Sequence, residues 1–190
     1  MVYMNTNEIE QKLKEHLKPS RYRHTVGVAY TAASMAMAFE ENLSKAYRAG
    51  LLHDCAKGYA LEEQSRLCEQ YNIMDEQLFH DSPQLMHSAL APYIAREFYE
   101  ESDEEILSAI QCHTTGKPAM TNLEKIIFIA DYIEPNRKMI PGLTRARKLA
   151  FTDLNDCTCF ILKQTIDYLK SQGNKIGHQT IETYEYYRKL

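Results

Sequence analysis

The sequence has no tryptophan, few glycines (seven) and few prolines (six), and no apolar run near the ~18–20 residues a membrane span requires. No secretory signal pattern stands at its N-terminus, so neither a membrane partner nor export is expected. Basic charge is not in excess: the formal net charge is −4. That argues against a general nucleic-acid binder, whose affinity comes mostly from neutralising phosphates. A small phosphorylated ligand stays open, since metal ions and a few local cations can hold a polyphosphate inside an acidic protein. Five cysteines, an odd number without framework spacing, fit a reducing cytoplasm better than a disulfide scaffold. Cys157 and Cys159 do not share a helix face, so they read as incidental thiols. Strand-type alternation, internal repeats and low-complexity segments are lacking too. What is there, 190 residues with 44% hydrophobic and 25% charged content, is one ordinary globular domain over residues 1–190.

Almost the whole chain reads as helix, and the fold class is all-α. A short helix opens at Asn7-Glu8 and stops before Pro19. Ser20 then caps a long helix from Arg21 to about Glu41, where Ala29, Ala32, Ala33 and Ala36 permit close packing. Ser44 caps a helix that carries the chain through His53-Asp54 and ends near Gly58. Two polar helices, Glu62 to Tyr71 and Asp75 to Phe79, are candidates for a rim or lid. Ser82-Pro83 starts a helix to about Tyr99. Ser102 with Glu105, and Thr121 with Glu124, form capping boxes for helices ending at His113 and Glu134. Thr144 caps one long helix to Ser171, and a tyrosine-rich helix closes the chain from His178 to Leu190.

Five of these segments carry metal-binding residue types in apolar surroundings: His24, the adjacent His53 and Asp54, His87, His113 and Asp131. Four imidazoles and two carboxylates are expensive to bury without a cation. Neighbours on a helix point about 100° apart, so His53 and Asp54 serve one centre only if other segments converge on them. Mixed imidazole and carboxylate donors suit Fe, Mn, Zn, Co or Ni, whereas an all-oxygen set would suit Mg or Ca. Six donors are too many for one open catalytic ion and suit two ions sharing a carboxylate. Lys57 follows the pair as a candidate phosphate contact, and Arg137 offers a planar fork for another phosphate. Thr114, Thr115 and Gly116 follow a histidine directly and stand as candidate substrate contacts. Of Arg21 and Arg23, only one is expected to face the centre, and Arg21 is the one assigned. Glu134 reads equally as a surface acid or as a partner orienting a histidine. His16, His80 and His178 read as ordinary core or surface residues, and Arg145, Arg147 and Lys148 as a solvated face.

The words around these residues (Arg21-Tyr22-Arg23-His24-Thr25-Val26, His53-Asp54-Cys55-Ala56-Lys57-Gly58, His87-Ser88-Ala89, His113-Thr114-Thr115-Gly116 and Ala130-Asp131-Tyr132-Ile133-Glu134-Pro135-Asn136-Arg137) resemble the HD superfamily of metal-dependent phosphohydrolases. Within it they look most like the YqeK-type symmetrical diadenosine tetraphosphate hydrolases, from about Ile9 to Tyr187. The resemblance implies an HD-type helical bundle with a dinuclear centre. Asp54 would bridge the ions, His24, His53 and Asp131 would complete one site, and His87 and His113 the other. The ions would be iron, with Mn, Zn, Co or Ni as alternatives, clamping a hydroxide ~3.5–4 Å-spaced metals can generate at neutral pH. Cleavage of diadenosine tetraphosphate to two ADP follows, in a cytoplasmic enzyme that a homodimer would also accommodate.

Two other readings stay in view. One is the same metal core acting on a dNTP, a cyclic nucleotide or a guanosine alarmone. The other is a nucleotide-binding sensor without catalysis, which a degraded ligand set would favour. The glycine-tyrosine-proline signature of HD-type cyclic-dinucleotide phosphodiesterases is absent. A structural zinc site would be four-coordinate and richer in thiols.

Overall fold

The structure, a computed structural model, describes residues 4–73 and 82–190. Among them it holds ten α-helices, two short 3-10 helices and no strand. The helices are α1 (Thr6–His16), α2 (Pro19–Ala38), α3 (Leu43–Leu52), α4 (Leu61–Gln70), α5 (Met86–Tyr99), α6 (Glu104–Cys112), α7 (Asn122–Ile133), α8 (Leu143–Leu149), α9 (Leu154–Ser171) and α10 (His178–Tyr187). One 3-10 helix, Cys55–Gly58, follows α3; the other, Pro83–Leu85, leads into α5. The helix expected over Asp75–Phe79, and His80 with it, lie outside the described residues.

The centre of the bundle is α7, buried at every position from Leu123 to Ala130. A helix this apolar has to be enclosed, and α2, α3, α6, α8 and α9 pack around it. Helices α2 and α3 cross closely: a Cβ placed on Gly50 would lie 2.6 Å from the Ala29 backbone. Only glycine fits there. The alanines of α2 (Ala29, Ala32, Ala33 and Ala36) are all buried.

Several boundaries differ from the sequence expectation, and capping chemistry explains each. Asn5 with Glu8 caps α1, both halves of the box being present. Helix α2 begins at Pro19, so Ser20 lies inside its first turn. Asn42 rather than Ser44 caps α3, accepting from the Lys45 amide at 3.0 Å, and Asp103 rather than Ser102 caps α6, accepting from Glu105 at 2.9 Å. Asn and Asp are at least as effective as Ser in that role. The long helix expected from Thr144 is two: Asp153 accepts the amides of Asn155 and Asp156 and starts α9 afresh. The Thr121–Glu124 box caps α7 as expected.

Candidate metal centre

The helix carrying the His-Asp pair ends earlier than its sequence pattern suggests, and the centre depends on that. Helix α3 stops at Leu52, His53 is its C-cap, and Asp54 adopts φ −108°, ψ 17° before the 3-10 turn begins. This sparsely populated backbone region recurs at active sites. Leaving the helix lets His53 and Asp54 face the same point, which neighbours inside an α-helix cannot do. The other segments arrive likewise near helix ends. His87 is the second residue of α5, His113 caps the C-terminus of α6, and Asp131 lies in the last turn of α7. His24 comes from the second turn of α2.

Asp54 is the hub. Its Oδ2 lies 2.8 Å from Arg21 Nη1, 3.5 Å from His53 Nε2 and 3.9 Å from His24 Nε2. Its Oδ1 lies 3.3 Å from His87 Nε2 and 3.6 Å from His113 Nε2. One carboxylate oxygen thus faces each pair of imidazoles. Asp131 Oδ1 completes the His24 side, 2.9 Å from His24 Nε2 and 3.8 Å from His53 Nε2. Asp54 and the four histidines are buried.

Each ring turns Nε2 inward because its Nδ1 is held elsewhere. His53 Nδ1 meets Gly50 O at 2.7 Å, His87 Nδ1 meets Gln84 O at 2.6 Å and His113 Nδ1 meets Ile110 O at 2.7 Å. These are carbonyls three residues back; those of Gly50 and Ile110 lie in last helical turns, which leave carbonyls without an amide partner. A carbonyl only accepts, so these Nδ1 atoms carry hydrogen and Nε2 is the ring nitrogen left to face the centre. For His24 the acceptor is Glu134, at 3.1 Å.

This donor set fits a cation. The Nε2 atoms of His24 and His53 are buried without a hydrogen bond. His87 Nε2 and His113 Nε2 face each other at 3.2 Å, and two lone pairs at that distance repel unless a positive charge lies against them. His24, His53 and Asp131 form one group able to hold a metal ion; His53, Asp54 and His113 form another. Burial would raise the Asp54 carboxyl, but His53, His113 and His87 more than reverse this and hold it well below the usual range. Burial would likewise raise Asp131, and His24, His53 and Arg137 hold it far below its ordinary value. Burial pushes His87 down to about 3, and the neighbouring His113 acts in the same direction. The carboxylates are therefore ionised, and His87 neutral, at physiological pH, as ligation requires.

The remaining sequence candidates divide. Arg21 bonds Asp54, whereas Arg23 is exposed. Arg137 donates from Nη2 to Asp131 Oδ1 at 2.7 Å and from Nε to its carbonyl at 2.8 Å. Lys57 is partly buried, and among the described residues its side chain makes no hydrogen bond or ion pair; burial lowers its pKa, Asp54 opposes that and Arg21 adds to it. Thr114 Oγ1 lies 3.5 Å from His87 Nε2. Thr115 and Gly116 point to a different place: Thr115 lines a separate cavity, and Gly116 O accepts from Gln179.

Of three supporting residues, one was half legible in the sequence and two were not. Glu134, weighed evenly, is buried and accepts from Asn136 as well as contacting His24. Gly27 makes room for it, since a Cβ there would lie 2.4 Å from Glu134 Oε2. Arg147, read as a surface charge, donates to the carbonyls of Ile133 and Glu134 and caps the end of α7. The three-residue spacing from Asp131 to Glu134 was the one available signal.

Comparison with known proteins gives a consistent picture. The HD domain family matches residues 21–136. The symmetrical bis(5'-nucleosyl)-tetraphosphatase of Bacillus subtilis is 39% identical over 96% of this chain and 97% of its own length. That of Halalkalibacterium halodurans is 40% identical over 95% and 96%. The crystal structure of a predicted HD superfamily hydrolase involved in NAD metabolism, from Clostridium acetobutylicum, superposes with a TM-score of 0.94 at 35% identity, covering 99% of both chains.

Proposed function

The chain belongs to the HD domain family, and from that premise we propose that it is a symmetrical bis(5'-nucleosyl)-tetraphosphatase that hydrolyses diadenosine tetraphosphate to two ADP. Similarity to such enzymes over nearly the whole chain supports the substrate. The observation that carries the chemistry is the convergence of four inward Nε2 atoms on the two oxygens of Asp54.

In this reading His24, His53 and Asp131 on one side and His87 and His113 on the other would hold two divalent ions, iron first among the transition metals, and Asp54 would serve both sides. When bound, such ions supply Lewis-acid charge neutralisation and lower the pKa of an attacking water. The protein's own part is positional and electrostatic. The Nδ1 contacts fix the four rings before substrate arrives, so no reorganisation is needed during reaction. Arg21 and Arg137 hold the two carboxylates and bring guanidinium N–H groups to the rim, where phosphate oxygens are recognised. Lys57, whose side chain makes no hydrogen bond or ion pair among the described residues, is free to meet charge growing on the departing ADP. Thr114 Oγ1, beside His87, is placed to bond a phosphate oxygen or the water being attacked with. A cytoplasmic setting belongs to the same reading, supported by five free thiols, four of them buried.

The test uses protein purified without chelator, incubated with diadenosine tetraphosphate, with products separated by anion exchange and bound metals measured on the same sample. Two ADP and about two metals per chain are expected. ATP plus AMP would overturn the symmetrical cut. Fully metallated protein that leaves this substrate intact but hydrolyses a dNTP or an alarmone would overturn the substrate.

A further inference from the structure

Beside the centre, the start of α2 and the segment 134–140 enclose a cleft of ≈ 610 Å³, large enough for a nucleotide-sized ligand. Its lining is strongly cationic: Arg21, Arg23, Arg137 and Lys138 against the single acid Glu134. That acid is already engaged with His24 and Asn136. Two of the cations are engaged as well, Arg21 with Asp54 and Arg137 with Asp131. The other two are not. Arg23 and Lys138 are exposed, and among the described residues their side chains make no hydrogen bond or ion pair. The same cleft is bordered by Ile140, 45% exposed in this charged setting.

Unpaired cations and an uncovered apolar side chain, side by side next to His24, match the chemistry of a nucleoside diphosphate. Its phosphates need positive charge, and its base needs an apolar surface. We propose that this cleft seats one nucleoside-diphosphate half of the substrate, with Arg23 and Lys138 binding its phosphates and Ile140 lying against its base. The proposal rests on the tetraphosphatase reading above. It also gives that reading a register: a half anchored here sets how many phosphates separate its base from the cleaved bond, which a symmetrical cut requires.

The test compares metal-loaded wild type with the double variant Arg23→Ala, Lys138→Ala. Both residues are exposed and unpaired, so folding is not at risk. Two readouts are taken: the ratio of kcat/KM for diadenosine tetraphosphate to that for bis-p-nitrophenyl phosphate, and the Kd for ADP by equilibrium dialysis. The ratio should fall and the Kd rise, each about tenfold, as for the loss of two solvent-facing charge contacts. Arg23→Lys with Lys138→Arg should restore most of both. Unchanged ratio and Kd would overturn the proposal. So would the same losses appearing instead in Ala89→Leu, which fills the ≈ 330 Å³ cavity on the far side of the His87 and His113 segments. If wild type fails to cleave diadenosine tetraphosphate yet ADP binding weakens in the double variant, the cleft stands and the tetraphosphatase reading falls.

Discussion

Glu134 Oε1 and His24 Nδ1 lie 3.1 Å apart across 110 positions of sequence. Of the four imidazoles at the centre, His24 is the one whose Nδ1 meets a carboxylate rather than a carbonyl three residues back. The cause is its place in the chain. His24 sits inside α2, where nearby carbonyls accept amides of the helix, while His53 and His113 stand at C-terminal ends with carbonyls to spare. An acceptor for His24 therefore has to come from another element, and the end of α7 provides it.

Removing that acceptor should loosen the ring. Glu134→Ala is expected to weaken metal binding on the His24 side about 10–100-fold, the usual consequence of losing a group that orients a ligand. Chelator competition on the variant measures this directly. Wild-type affinity would show that His24 is held without Glu134.

Asp54→Asn should abolish turnover and lower occupancy on both sides of the centre. An amide keeps one carbonyl oxygen for one imidazole pair and turns a hydrogen-bond donor toward the other pair or Arg21. Metal analysis of the purified variant, beside its rate, is the check. Two ions per chain and normal turnover would overturn the proposal that Asp54 serves both ions.

Lys57→Ala should lower kcat about 100-fold, the scale for removing one group that stabilises developing charge, while the metals stay bound. Among the described residues the side chain makes no hydrogen bond or ion pair with any of the six donors. A variant that emptied of metal would make Lys57 structural instead.

Acid stability should depend on a pair away from the metals. Burial raises the Glu124 carboxyl, but Lys117, at 2.6 Å, and Ser108 reverse this and hold it below the ordinary 4.5. A carboxyl with a lower pKa when folded than when unfolded stabilises above the unfolded value, and that stability is lost as pH falls through the folded value. Glu124→Gln should therefore be less stable than wild type by about 1–3 kcal/mol near neutrality. The gap should shrink below pH 4.5. Urea unfolding across that range measures it, and a gap of constant size would show that the ionised form contributes nothing.

The sequence by itself determined the helical class, because apolar periodicity and capping residues are local signals. It determined the identity of the six converging donors as well, since histidines and aspartates set in apolar segments stand out without any structure. Even the box of Thr121 and Glu124 could be read directly. It did not determine where α3 ends, that α8 and α9 are separate, or that Asn42 and Asp103 do the capping, because neighbouring polar residues compete for one helix end on nearly equal terms. Tertiary structure decided the rest: the pairing of Glu134 with His24, the choice of Arg21 over Arg23, the turning of Thr115 toward another cavity, and the split of Asp54 between two pairs of imidazoles. These are contacts between residues distant in sequence. They exist only once burial of α7 has fixed the helices around it, and no local pattern encodes their distances.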